Sequence, residues 1–190
     1  MEKIPTLFLR NPDNMKLVTQ EVNPEAAWVF GVEVKPTVKR DGTPVLVHVE
    51  TGQVLVPSFK RRNPTREEKA KGAEPGWIEM HLDDPSDRHL WAAINGTDFS
   101  AWPNGAWPCE ALGPKIQGGV ESDIPHLYPF SWDPEWIEEE IPLTYEGIKA
   151  FLETHDYEGI VWHEQSDTGR MCKIKRRDFG LKWPVKKGEA

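Results

Sequence analysis

Two strand-like runs joined by an Asp-Gly pair constrain the fold of this chain most strongly. Residues 34–38 lead into Lys39, and residues 45–49 alternate in the manner of a half-buried strand. Asp41-Gly42 between them is typical of a tight hairpin turn in which the glycine takes a positive φ. We therefore expect Lys39 to be held at a strand end and aimed into a cleft. Because Lys-x-Asp-Gly is a short motif, an exposed lysine beside a common turn is the alternative.

Further strand-like runs are spread along the chain. Residues 28–38 are predicted to form a strand, and residues 43–59 a hairpin that turns at Thr51-Gly52. Strands at 158–163 and 171–175 flank a polar turn, so they are predicted to pair as a second hairpin. This order, rich in strands with local connections, favours an α+β fold with antiparallel sheets.

Three short helices complete the predicted elements. The first begins with a capping box at Thr65 and ends at Gly72, the second is capped by Ser86, and the third is capped by Thr144. The predicted buried stripes are Leu90, Trp91 and Ile94 in the second helix and Ile148, Phe151 and Leu152 in the third. Helices of this kind are expected to flank the sheets.

The composition is that of a soluble globular protein inside the cell. The chain has 190 residues, with 38% hydrophobic and 28% charged residues, and no run approaches the length needed to cross a bilayer. The first residues lack the apolar stretch of a signal peptide. Two cysteines, Cys109 and Cys172, make neither a disulfide framework nor a four-ligand zinc site. We expect a single domain over residues 1–190 in the cytoplasm.

The net charge of the chain is negative, but its basic residues are clustered. A formal net charge of −8 argues against a protein that coats nucleic acid without specificity. Basic residues nevertheless cluster at 60–62, 173–177 and 182–187. A basic face on an acidic protein suggests a site for an anion such as a polyphosphate, with a solvated charge run as the alternative. Most of the nine tryptophans are expected in the core, and one or two are candidates to stack on a base.

Two lysines of the last predicted strand share one face. Lys173 and Lys175 are two residues apart, so their side chains project together. A bound phosphate would compensate this paired charge, whereas on an edge strand the lysines would simply face solvent.

Strict alternation puts Glu158 and Val161 on opposite faces of the preceding strand, unless the chain bends near Gly159 or Glu158 lies at the strand mouth.

The order of three motifs resembles that of the covalent nucleotidyltransferases. Lys-x-Asp-Gly at 39–42, Glu-Gly-Ile-Val at 158–161 and Lys-x-Lys at 173–175 follow one another as in ATP-dependent and NAD-dependent ligases and capping enzymes. Segments similar to the vertebrate 5′–3′ RNA ligase family are 75–77, 110–113, 116–118, 158–163, 173–175 and 180–184. This resemblance covers residues 30–184. It implies an adenylation domain with antiparallel sheets and flanking helices, and no separate C-terminal domain.

The resemblance implies a lysine nucleophile and a metal-dependent first step. Lys39 would attack the α-phosphorus of ATP and form lysyl-AMP. Desolvation and the cations Lys173 and Lys175 would lower the pKa of Lys39 and stabilise charge on the α-phosphate. Glu158 would hold or orient a divalent ion, Mg²⁺ or Mn²⁺.

The same resemblance implies contacts for the rest of the nucleotide. Glu110 would bind the ribose hydroxyls, and Val161 would pack on one face of adenine. Tyr128 or Phe130 would cover the other face. Arg62, with Arg61 as the neighbouring alternative, would contact the nucleotide or the 5′-phosphate.

Three functions remain open from the sequence. The first is an ATP-dependent RNA ligase that joins 5′-phosphate and 3′-OH RNA ends through lysyl-AMP and an RNA-adenylate. The second is a nucleotidyltransferase that adenylates or caps ends without sealing them. The third is a non-catalytic module that binds RNA or a nucleotide.

Overall fold

The computed structural model describes residues 4–166 and 169–185. The chain divides into two compact units, one formed by residues up to Arg40 and from Pro134 onward, the other by Asp41–Asp133. In chain order the strands and α-helices are β1 (Phe8–Asn11), β2 (Asn14–Val22), β3 (Val34–Lys39), β4 (Thr43–Glu50), β5 (Gln53–Arg62), α1 (Arg66–Ala70), β6 (Gly76–Glu79), α2 (Arg88–Asn95), β7 (Gly105–Leu112), β8 (His126–Pro129), α3 (Tyr145–Thr154), β9 (Gly159–Glu164) and β10 (Met171–Lys175). Short 3-10 helices cover Pro24–Phe30, Gln117–Gly119 and Arg176–Phe179.

The first unit is built on a three-stranded antiparallel sheet in the order β10-β9-β3, beside the β1–β2 hairpin. Strand alternation sends one set of side chains into a core shared with α3. The core members from the sheet are Val38, Ile160, Trp162, Cys172 and Ile174. The opposite face therefore carries the alternate residues, including both lysines of β10.

The second unit is a five-stranded antiparallel sheet in the order β6-β5-β4-β7-β8. Its core face carries Val45 and Val47 of β4 and Cys109 and Ala111 of β7, which pack with the apolar stripe of α2. Both units thus mix antiparallel sheets with helices, which confirms the α+β architecture with antiparallel sheets. None of the helices in the described part of the chain has both the length and the hydrophobicity to cross a lipid bilayer.

Most of the local elements agree with the sequence. β4 and β5 form the hairpin at Thr51-Gly52, and β9 and β10 form the predicted later hairpin. The capping box at Thr65 is present, and Thr144 accepts a hydrogen bond from the backbone of Gly147 at the start of α3. The predicted apolar stripes of α2 and α3 are buried.

Two elements begin at residues other than those expected from the sequence. The predicted strand at 28–38 is helical at its start, because residues Pro24–Phe30 form a 3-10 helix that Asn23 caps. The strand therefore begins only at Val34. The cap of α2 is Asp87 rather than Ser86. Asp87 is fully buried and accepts hydrogen bonds from the backbone of His81 and the side chain of Lys60. These long-range contacts cannot be read from a local capping pattern.

The predicted Asp41-Gly42 hairpin is wrong. β3 and β4 belong to different sheets, and β3 pairs with β9 rather than with β4. Gly42 does not take a positive φ. It lies against β7, where a Cβ on Gly42 would be 2.3 Å from the carbonyl oxygen of Ala111. The glycine is required for close backbone approach rather than for a turn.

Candidate active site

Three charged side chains meet at one end of the three-stranded sheet. Lys39 at the end of β3 and Lys175 at the end of β10 both pair with Gly159, the first residue of β9. The carboxylate of Glu158 accepts a hydrogen bond from each ammonium group, and its Oε1 lies 2.6 Å from Lys175 Nζ. The structure thus brings together three residues that the sequence singled out from segments far apart in the chain.

Backbone contacts fix the position of Glu158. It lies just before β9, and its carbonyl oxygen accepts a hydrogen bond from the backbone of Arg176 at 2.8 Å. A Cβ on Gly159 would lie 2.2 Å from the carbonyl oxygen of Ile174, so the β9–β10 pairing needs glycine at this position. Because Glu158 sits at the strand mouth, its side chain reaches the lysines on the face that carries Val161.

In the cluster of Lys39, Glu158 and Lys175, the carboxylate and one ammonium group are buried, and the side chain of Lys175 is 34% exposed. The side chains of Glu158 and Lys39 are 4% and 14% exposed. The carboxylate stabilises the ammonium form of Lys39. A nucleophilic amine at Lys39 therefore requires this hydrogen bond to be broken.

Lys173 and Val161 occupy the next row of the same sheet face. Lys173 pairs with Val161 across β9–β10, and Val161 pairs with Thr37 across β9–β3. Paired residues of antiparallel strands project to the same side, so this row adjoins the row of Lys39 and Lys175. Val161 and Lys173 are both half-buried.

A polar network on this face was missed by the sequence reasoning. The Thr37 hydroxyl donates to the carbonyl oxygen of Val161 at 3.2 Å, so it is left to accept from His163 Nε2 at 3.0 Å. Burial lowers the pKa of His163 from 6.5 to about 4, which keeps the ring neutral. Trp136 packs on His163, and Lys35 lies 4.8 Å from the centre of the Trp136 ring. Thr37 and Lys35 lie two and four residues before Lys39, so strand alternation predicts that they share its face. This spacing was the sequence signal that could have identified them.

Glu110 occupies a buried position in the second unit. It lies in β7 opposite Pro44 of β4 and Tyr128 of β8, so it shares a sheet face with Tyr128. Its Oε1 accepts a hydrogen bond from the backbone N–H of Gly42 at 3.1 Å. Gln117 also donates to the Gly42 carbonyl oxygen, at 3.3 Å. Glu110 thus anchors the segment that directly follows the Lys39-Arg40 dipeptide.

Arg61 and Arg62 project to opposite faces of β5. Arg62 is exposed and its guanidinium is paired with Glu68 of α1, at 2.5 Å. Arg61 is half-buried, pairs with Trp77 across β5–β6, and lies over the Trp77 ring at 5.9 Å. The structure therefore places the predicted Arg62 against a helix, and its alternative Arg61 beside an aromatic ring.

The basic run at 173–177 is not one continuous patch. Lys173 and Lys175 share the sheet face described above, whereas Arg176 is buried among backbone carbonyl groups. Its Nε and Nη1 donate to the carbonyl oxygens of Lys182 and His155 at 2.8 and 2.7 Å. Arg176 therefore stabilises the turn after β10 and is not a candidate to bind an anion.

The residues present fit a divalent ion only together with a polyphosphate. Among residues 4–166 and 169–185, no three acidic, histidine or cysteine side chains are grouped as a metal site. Glu158 supplies one carboxylate, and it lies between two ammonium groups. Mg²⁺ is commonly held by one or two carboxylates with substrate phosphates and water, which matches this donor set.

Comparison with known proteins finds similarity among solved structures. No protein-family model matches the chain, and no curated protein matches it. Among solved structures, the chain is similar to an RNA ligase of Naegleria gruberi. An apo variant of that ligase gives a TM-score of 0.49 at 15% identity over 92% of this chain and 59% of the ligase chain. Two variants with ATP and Mn give 0.48 at 15% identity over 90% and 59%, and 0.44 at 16% identity over 76% and 50%. The chain spans between half and three fifths of the length of these ligase chains.

Proposed function

We propose that this chain is an ATP-dependent RNA ligase that forms a lysyl-AMP intermediate on Lys39. The observation that carries the proposal is the partly buried cluster of Lys39, Glu158 and Lys175, in which two cations share one carboxylate. An amine beside a second cation suits nucleophilic attack on a phosphorus atom that carries negative charge.

In the first step, the Lys39 amine attacks the α-phosphorus of ATP. The N–P bond forms, the bond from the α-phosphorus to the bridging oxygen breaks, and pyrophosphate leaves with the electron pair while the amine releases its proton. Lys175 and Lys173 stabilise the charge on the α-phosphate oxygens. Glu158 holds Lys39 in position before ATP arrives and must release it for attack.

Glu158 is also the side chain that would hold a divalent ion against the phosphates. Such an ion, Mg²⁺ or Mn²⁺, would supply positive charge that stabilises the leaving pyrophosphate.

The remaining predicted contacts are part of the same proposal. Glu110 is proposed to bind the ribose hydroxyls and Val161 to pack on adenine. Arg62, or its neighbour Arg61 on the sheet face that carries Glu110, is proposed to contact the nucleotide or the RNA 5′-phosphate. AMP is then transferred from Lys39 to the 5′-phosphate, and attack by an RNA 3′-OH joins the ends and releases AMP.

Labelling with α-³²P-ATP and Mg²⁺ or Mn²⁺ tests the proposal. The wild type is expected to retain the label after denaturation, and Lys39→Ala to retain none. The matched control is Lys149→Ala, which removes a solvent-accessible lysine of α3 that pairs only weakly with Glu153, at 3.9 Å. Label on Lys39→Ala would reject the nucleophile, and an unlabelled wild type with ATP, GTP and NAD would reject covalent catalysis.

A further inference from the structure

A salt bridge outside the lysine cluster fixes the backbone of Lys175. The backbone N–H of Lys175 donates a hydrogen bond to Asp178 Oδ2 at 2.8 Å. The other carboxylate oxygen, Asp178 Oδ1, accepts a hydrogen bond from Nη1 of Arg10 at 2.6 Å. Arg10 belongs to β1, and Asp178 belongs to the 3-10 helix that follows β10. One carboxylate therefore connects the last residue of β10 to the first strand of the chain.

The bond to Asp178 takes the place of a paired strand at the outer edge of β10. The N–H of Lys173 donates to the carbonyl oxygen of Pro5 at 2.9 Å, and its carbonyl oxygen accepts from the N–H of Leu7 at 2.8 Å. Alternate residues of a strand direct their N–H groups to the same edge, so the N–H of Lys175 also points away from β9. The N-terminal segment pairs with this edge at Lys173, and the Asp178 side chain does so at Lys175.

The salt bridge is partly buried and joins two segments that are also held by the core. The side chain of Asp178 is 4% exposed and that of Arg10 is 32% exposed. A buried carboxylate is costly without a cation, so Arg10 stabilises Asp178 in this position. The neighbouring rings of Phe8 and Phe179 meet edge to face with centroids 6.5 Å apart, and both rings belong to the core. The two segments are therefore packed against each other independently of the salt bridge.

We propose that Arg10 and Asp178 are positioning residues that hold Lys175 where its ammonium group meets the α-phosphate of the nucleotide. Arg10 orients the Asp178 carboxylate, and that carboxylate fixes the backbone from which the Lys175 side chain extends to Glu158 Oε1, at 2.6 Å. Both act through Lys175 rather than on the nucleotide. This inference rests on the proposed adenylation of Lys39, because that reaction gives Lys175 its task.

The rate of Lys39 labelling by α-³²P-ATP, measured over a range of ATP concentrations, tests the proposal. A displaced cation no longer stabilises the charge that develops in the transition state. Arg10→Ala is therefore expected to lower the maximal rate about tenfold or more and to leave the half-saturating ATP concentration within about twofold. Arg10→Lys, which retains a cationic donor, is expected to restore most of the rate. Lys16→Ala serves as the control, because it removes an exposed cation from the adjoining strand β2.

Asp178→Asn provides a second test that does not depend on the folding of Arg10→Ala. The amide keeps the shape of the carboxylate but has one acceptor oxygen in place of two, so that oxygen can face Lys175 or Arg10 but not both. The same fall in maximal rate is expected. Hydrogen exchange of the Lys175 amide, followed by NMR, is expected to be about tenfold faster in Asp178→Asn and in Arg10→Ala, and unchanged in Lys16→Ala.

The outcomes separate positioning from general destabilisation and from the proposed activity. A normal maximal rate in a folded variant would overturn the role of the residue that it replaces. Slower labelling with faster exchange along the whole of β9 and β10 would overturn the proposal, because it would show a weakened fold rather than a displaced Lys175. An unlabelled wild type would reject the proposed ligase. A faster Lys175 amide in Asp178→Asn would then still support the hold on Lys175, and an unchanged one would overturn it.

Discussion

At the scale of single residues, Glu158 decides the state of the proposed nucleophile. Its carboxylate holds the ammonium groups of Lys39 and Lys175 close to one another. Glu158→Gln keeps the shape but removes the charge, so two partly buried cations are left to repel. We expect the free energy of unfolding to fall by about 1–3 kcal/mol in urea titrations. Glu138→Gln is the control, because Glu138 is 77% exposed in its pair with Lys35 and such pairs contribute little. Equal effects of the two substitutions would contradict this role.

His163 gives a prediction about pH. Its pKa is about 4 in the folded protein and 6.5 ordinarily, so between these values the unfolded chain binds a proton that the folded protein does not. Stability contributed by neutral His163 is therefore present above pH 6.5 and is lost as pH falls towards 4. From pH 7 to pH 5 the wild type should lose about 2 kcal/mol more unfolding free energy than His163→Gln. Parallel losses in both proteins would show that burial does not hold the ring neutral.

At the scale of elements, Gly159 controls how β9 meets β10. A Cβ there would lie 2.2 Å from the Ile174 carbonyl oxygen, so Gly159→Ala must displace the strand that carries Lys175. We expect a lower urea midpoint and loss of ATP labelling. Gly76→Ala is the control, because a Cβ on Gly76 of β6 meets no atom within 4 Å. Normal labelling of Gly159→Ala would mean that the lysine cluster tolerates a shifted β10.

Local patterns predicted many elements because their causes are local. The capping box at Thr65 and the hairpin at Thr51-Gly52 depend on neighbours in sequence, and both are present. Asp41-Gly42 has the composition of a turn, but β7 packs against the glycine from 68 residues away. The sequence shows the glycine but not the strand that approaches it.

The candidate site was predictable in part for the same reason. Alternation placed Lys173 and Lys175 on one face, and the structure agrees. The choice between Arg61 and Arg62 depended on which face of β5 packs on α2, which a local pattern does not define. Thr37 and His163 were missed because their hydrogen bond joins strands 126 residues apart.

At the scale of the whole molecule, the proposed chemistry separates into binding, adenylation and joining. With 5′-phosphorylated RNA and ATP, a ligase yields joined or circular product, whereas an enzyme that stops early yields RNA-adenylate alone. We expect joined product from the wild type on denaturing gels and none from Lys39→Ala. Pre-adenylated RNA separates the later step, because sealing of it needs no lysyl-AMP. Accumulation of RNA-adenylate without joining would replace the ligase by an adenylating enzyme.

Intact-protein mass spectrometry after incubation with ATP and Mn²⁺, followed by peptide mapping, tests the central claim most directly. The account predicts one added AMP per chain, attached through an acid-labile bond to the peptide that contains Lys39, and no adduct on Lys39→Ala. An unmodified wild-type protein under these conditions, or AMP attached to another residue, would contradict it.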